Sequence, residues 1–184
     1  ELLLAKRGLN AITLSLDDLY LPRTERQHAA ADHHPLFATR GVPGTHDIEL
    51  AMEILDRLLS GKSAELPKFD KASDDRSAET VHVGGPVDVV LFEGWCVDAA
   101  PQSAAALREP VNALERDKDP HGTWRREVNR RLATAYAAQF ARIDLLIMLK
   151  VPDFEAVRAN RRLQEAKLGS GSAVTEKAAL DRFL

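Results

Sequence analysis

Two apolar runs that each stop at a carboxylate constrain this chain more than any other feature. Ala11-Ile12-Thr13-Leu14-Ser15-Leu16 is short and β-prone, and halts at Asp17-Asp18. Val87-Asp88-Val89-Val90-Leu91-Phe92 is nearly all apolar and halts at Glu93-Gly94. Runs of this length and composition suit strands covered on both faces, as in a parallel sheet. A third run, Leu145–Val151, has the same character. It leads through Pro152, a residue suited to a first helical position, into a helix from about Asp153 to Lys167.

Helical periodicity occupies the intervals. Asp47 opens a helix with Ile48, Ala51, Met52, Leu55, Leu58 and Leu59 on one face, closed by Gly61. Val128, Leu132, Ala135, Tyr136 and Phe140 repeat at helical spacing between Trp124 and Arg142. The opening segment Glu1–Arg7 reads as the tail of a helix, terminated by Gly8. Strands separated by helices predict a parallel α/β sheet with ligand sites beyond the carboxyl ends of the strands. Asp17, Asp18 and Glu93 stand at those ends.

The remaining segments read as loops. From Pro22 to Thr45 there is little periodicity and several turn formers, so a long functional loop is expected, with 22–45 on the substrate side. The stretch around Leu66-Pro67-Lys68-Phe69-Asp70-Lys71 reads as irregular, and Pro101–Gly122 as loop with one short helix. Gly169-Ser170-Gly171-Ser172 has the composition of a hinge, and Thr175–Leu184 begins another helix. His28, His33 and His34 have no neighbouring cysteine ligands and read as surface residues.

Charge and cysteine content exclude several classes of function. A net charge of −3 lacks the dominant basic balance of a general nucleic-acid or membrane-surface binder, so neither partner is expected. Cys96 is the sole cysteine, which rules out an internal disulfide or a thiolate metal cluster. A reducing cytoplasm is the expected setting. With 45% hydrophobic residues in 184, the chain fits a single domain spanning 1–184, and its composition leaves the oligomeric state open.

Ser15-Leu16-Asp17-Asp18-Leu19-Tyr20 resembles the Ser-x-Asp-x-Phe-Tyr segment of the uridine, pantothenate and glycerate kinase group of P-loop enzymes. Order strengthens the likeness. Arg40-Gly41-Val42-Pro43-Gly44-Thr45-His46-Asp47, then Leu66–Lys71 with Asp74-Asp75-Arg76, then Val90-Leu91-Phe92-Glu93-Gly94-Trp95 follow in the sequence that group uses. The Arg-Gly-x-Pro-Gly-Thr-His-Asp, Pro-x-Phe-Asp-Lys-Ala and Phe-Glu-Gly-Trp forms are most similar to D-glycerate 3-kinases. The likeness covers nearly the whole chain.

This resemblance implies ATP-dependent phosphorylation of a small acceptor, D-glycerate to 3-phosphoglycerate, with Mg2+ as the accompanying ion. Uridine or pantothenate as acceptor, or a noncatalytic binding protein, are the alternatives. Asp17 matches the family's proton acceptor. Glu93 matches an acidic residue near magnesium, whose preference for oxygen ligands and water suits one carboxylate. Tyr20, Arg40, His46, Asp70, Lys71 and Arg76 fall in segments that would face the substrate, where a small anion needs a cation and a few hydrogen-bonding groups. Asp18 is given a structural role. Arg158, Arg161 and Arg162, on one basic helix, match a lid over the nucleotide phosphates, with 153–172 as the lid region.

The phosphate-cradling motif Gly-x-x-x-x-Gly-Lys-Ser/Thr does not occur in the sequence. The family places it just ahead of the helix to which Glu1–Arg7 corresponds, preceded by a sheet strand. The expectation is therefore a P-loop NTPase-type, three-layer α/β fold with a mostly parallel sheet, whose first strand and phosphate loop are missing from this chain. Truncation at both ends is expected, with the fragment alone inactive.

Overall fold

The computed structural model describes residues 1–167, apart from the side chains of Phe154, Arg161, Arg162 and residues 164–167. The expected hinge at Gly169–Ser172 and the helix at Thr175–Leu184 lie outside the described residues. The chain divides into two compact units, one of residues Glu1–Asp144 and one that begins at Leu145.

The first unit is organised around a parallel pair. Strand β1 (Ala11–Ser15) runs beside β4 (Val89–Glu93), in a register that sets Ala11 opposite Val89 and Ser15 opposite Glu93. Both strands therefore end at the same edge, so the carboxylates that follow them share one side of the sheet. A short helix α1 (Leu2–Ala5) precedes β1, and Gly8 breaks it with φ of +75°. The face of β4 is only partly covered, with Leu91 exposed, whereas the sequence predicted burial on both sides. Among the described residues this sheet has two strands.

Helix α3 (Ile48–Leu59) supplies much of the core. Asp47 caps it by accepting the Leu50 amide at 3.0 Å, and Gly61 ends it at φ of +74°. Ile48, Ala51, Ile54, Leu55 and Leu58 are buried on one face and join Leu14, Leu16, Leu19, Tyr136 and Phe140 in a single cluster. Each large aliphatic chain removed from water in this way contributes about 1.5–3 kcal/mol. Both ends of this helix are as read from the sequence, but its buried face differs: Ile54 is buried where the reading omitted it, and Leu59, placed on that face, is exposed.

Two segments read as irregular are ordered. The stretch expected as loop between Pro22 and Thr45 contains α2 (Arg23–Asp32) and a 3-10 turn, Pro35–Ala38. Its lack of apolar periodicity is real, because polar anchors dock α2, and the buried one is Arg26. Arg26 is 0% exposed and spends its guanidinium on Leu21 O, Ala38 O and both the carbonyl and carboxylate of Asp74. Leu66–Lys71 is likewise not irregular. It lies mostly in β2 (Ala64–Asp70), which pairs antiparallel with β3 (Asp75–Val83) around a register shift between Pro67 and Phe69. Pro67 and the polar, exposed β3 masked the alternation that would have shown a hairpin.

After the short helix α4 (Ala113–Lys118), the predicted helix between Trp124 and Arg142 is present, with an interruption. Helix α5 (Thr123–Arg131) passes through a π-turn, Leu132–Tyr136, into α6 (Ala137–Phe140).

In the second unit, 145–151 forms no strand, contrary to the sequence reading, and Leu145, Ile147, Met148 and Leu149 are exposed. A parallel strand exists only with a hydrogen-bonded neighbour, and the segment has none among the described residues. Helix α7 (Phe154–Lys167) is present as expected, but Asp153 caps it by accepting the Ala156 amide at 2.8 Å, so Pro152 precedes the cap. No helix among the described residues is long and apolar enough to cross a membrane.

Candidate active site

β1 does not run on through its carboxylates. At Leu16 the chain tightens into a 3-10 turn, Leu16–Leu19, capped by the Ser15 hydroxyl, which accepts the Asp17 amide at 3.3 Å. Leu16 and Leu19 point into the core and thereby aim Asp17 and Asp18 outward in different directions. Gly94, just after β4, packs against this turn. A Cβ there would lie 2.6 Å from the Leu16 Cβ, so only glycine permits the approach.

Asp18 is tied to β2. Its carboxylate accepts Lys68 Nζ at 2.7 Å and the Phe69 amide at 3.2 Å, which fixes the 3-10 turn to the hairpin. Asp17 is the more open of the two, with its side chain 37% exposed. One oxygen accepts the Tyr20 hydroxyl at 3.2 Å and the other accepts Lys71 Nζ at 2.7 Å. Burial, reinforced by the Asp17 charge, pushes the Tyr20 phenol well above its ordinary range, so it remains a donor.

A short antiparallel bridge joins Tyr20 to His46, with Leu21 N donating to Thr45 O at 2.9 Å and Asp47 N to Leu19 O at 2.7 Å. It stacks the two rings at 4.4 Å between centroids. Burial pushes the imidazole of His46 down to about 4, against a smaller opposing pull from Asp17, so the ring is neutral near pH 7. The turn before it is held by Thr45, whose hydroxyl accepts the Gly41 amide and donates to Val42 O. Trp95, after β4, donates its indole N–H to Gly41 O at 3.0 Å and so ties that turn to the strand end.

Asp17, Tyr20, His46 and Lys71 therefore form one constellation. The other substrate-side residues occupy different positions. Arg76 donates to Tyr20 O at 3.1 Å and to Asp47 at 3.0 Å, bracing the constellation from behind. Arg40 is paired with Asp74 and lies over the Phe69 ring at 5.5 Å. Asp70 uses its two oxygens on the amides of Ala72 and Ser73 in its own turn. Hydrogen bonding from the Ser73 side chain and from these two amides lowers its pKa below the usual carboxylate value and competes with any ligand hydroxyl. Glu93 is exposed at the end of β4, opposite Ser15, and no hydrogen bond holds its side chain among the described residues. In the second unit Arg158 reaches Glu155 at 3.4 Å, and the side chains of Arg161 and Arg162 lie outside the described residues.

Sequence reading assigned Tyr136 to an apolar face and gave Asp74 and Arg26 no role. Tyr136 in fact reaches into the site, where its hydroxyl contacts the Gly44 amide at 2.8 Å and Nδ1 of His46 at 2.7 Å. The π-turn that carries it leaves no mark in a sequence. No group of three or more potential metal ligands occurs among the described residues, so no all-protein metal cage exists there. A magnesium ion held chiefly by phosphate oxygens and water needs no cage, and the free carboxylate of Glu93 has the right donor chemistry.

No protein-family profile matches the chain. It is 30% identical over 178 residues to the uncharacterized kinase mug58 of Schizosaccharomyces pombe, covering 90% of this chain and 62% of that protein. It is also 30% identical over 154 residues to the chloroplastic D-glycerate 3-kinase of Arabidopsis thaliana, covering 77% of this chain and 31% of that enzyme. Among solved structures, D-glycerate 3-kinase from Cryptococcus neoformans superposes with a TM-score of 0.83 at 29% identity, covering 99% of this chain and 68% of that one. The chain thus spans less than two thirds of the two curated relatives' lengths.

Proposed function

We propose that this chain, similar to D-glycerate 3-kinases, carries the acceptor side of an ATP-dependent P-loop kinase that phosphorylates a hydroxyl of D-glycerate. The observation that carries this reading is the contact set of Asp17, an accessible carboxylate held between the Tyr20 hydroxyl and the Lys71 ammonium.

Phosphoryl transfer asks the protein mainly to align an alcohol and remove its proton. Asp17 does this. A substrate hydroxyl that displaces Lys71 from the second carboxylate oxygen donates its proton there as the oxygen attacks. Lys71 is 60% exposed on a long flexible stem, and its ammonium is free to turn to the carboxylate of the acid as it leaves Asp17. Tyr20 keeps Asp17 oriented through its retained proton. Arg76 and Arg40 act as braces, holding Tyr20, Asp47 and Asp74 in place. Magnesium, bound near Glu93, would supply charge neutralisation for the transferring phosphate. The 153–172 segment, with Arg158, Arg161 and Arg162, is proposed as a nucleotide lid on the basis of its charge. A reducing compartment, the cytoplasm in the simplest case, suits the buried lone Cys96.

An ATP-coupled assay of D-glycerate against uridine and pantothenate, run on the protein that carries this chain, tests the substrate. Turnover of D-glycerate above the other two supports the reading. Uridine or pantothenate as the better acceptor reassigns the site, and no phosphorylation of any of the three favours a noncatalytic binding protein.

A further inference from the structure

Tyr136 closes the π-turn Leu132–Tyr136 and is 1% exposed. Such wide turns recur where a helix must present a functional side chain out of normal register. A phenol has one proton. The Gly44 amide already donates to the Tyr136 oxygen at 2.8 Å, so the phenol's own proton goes to Nδ1 of His46 at 2.7 Å. The reverse arrangement, Nδ1–H donating to the phenol, would leave the phenol proton buried without an acceptor. Burial also keeps the phenol protonated and the imidazole neutral.

A neutral imidazole that accepts at Nδ1 carries its single proton on Nε2. That atom is buried and has no partner among the described residues, although His46 is only 5% exposed. A buried donor left unmet costs about 1–3 kcal/mol, and the ring that bears it is stacked on Tyr20, the residue that orients Asp17.

We propose that Tyr136 is a positioning residue of the acceptor site, locking His46 in the tautomer with its proton on Nε2 and so reserving that donor for an oxygen of the phosphoryl acceptor beside Asp17. This rests on the acceptor-site reading above. Its consequence is selectivity: an acceptor lacking the matching oxygen leaves the donor unpaired and is rejected more strongly than lost contact area alone would require.

Imidazole nitrogen NMR on the full chain tests the lock without any variant. The wild-type protein is expected to show His46 protonated on Nε2 alone, with that resonance shifting when D-glycerate is added. A proton on Nδ1 overturns the proposal. Tyr136→Phe, which keeps the ring, is expected to lose the fixed tautomer and to raise KM for D-glycerate about tenfold while kcat changes by less than about threefold. A merely structural Tyr136 would lower the melting temperature of the variant and leave tautomer and KM as in wild type, and that outcome also overturns it. If D-glycerate is phosphorylated without moving the Nε2 resonance, the positioning role falls and the kinase reading stands. Failure of every acceptor in the assay rejects the kinase reading and is read independently of the tautomer.

Discussion

The hydroxyl of Tyr136 meets Nδ1 of His46 at 2.7 Å across 90 positions of sequence, joining the helix after Gly122 to the turn that precedes α3. The contact lies in the interior, where burial keeps the histidine neutral and gives it a measurable signature in acid. Burial holds His46 near 4 in the folded chain against about 6.5 when unfolded, so between those values the unfolded state binds the extra proton. Stability therefore rises with pH through this window and falls as pH drops from 6.5 towards 4. The full effect is about 3 kcal/mol, and the Tyr20 and Tyr136 phenols that face the ring stay protonated throughout it. Denaturant unfolding at several pH values checks this, and the slope should shrink in His46→Gln.

Lys71→Met removes the cation that we assign to the acid group of the substrate. KM for D-glycerate is expected to rise about 10- to 100-fold, the loss of one charge-assisted contact, with a smaller change in kcat. Steady-state kinetics with varied D-glycerate reads the split.

Arg26→Leu should be among the most damaging changes outside the site. It strands three carbonyls and the Asp74 carboxylate that Arg26 satisfies, and it loosens the brace that positions Arg40. A cost of about 3–5 kcal/mol is expected, readable as a lowered denaturant midpoint.

The parts of this structure legible in the sequence are those governed by hydrophobic pattern. The strands ending at Asp17 and Glu93 and most of the face and the caps of α3 follow directly from apolar spacing and from Asp47 and Gly61. Where polar anchors or cross-strand pairing decide, the pattern is silent: α2 depends on Arg26, and the β2–β3 hairpin on pairing around Pro67. The segment 145–151 shows the converse, since an apolar run becomes a strand only when a neighbour pairs with it. Within the site, Asp17, Tyr20, His46 and Lys71 lie together, whereas Arg40, Asp70 and Arg76 are held by other partners. Tyr136 escaped notice because its helical spacing also fits the core, and only the π-turn and the Gly44 amide show its second task.

The role of Asp17 is the centre of the account, and Asp17→Asn tests it most directly. In the protein that carries this chain, turnover with D-glycerate is expected to fall about 10²- to 10⁴-fold, while the affinities for ATP and D-glycerate measured by calorimetry change little. Unchanged turnover, or a loss of ATP affinity as large as the loss of turnover, would contradict the assignment of Asp17 as the base.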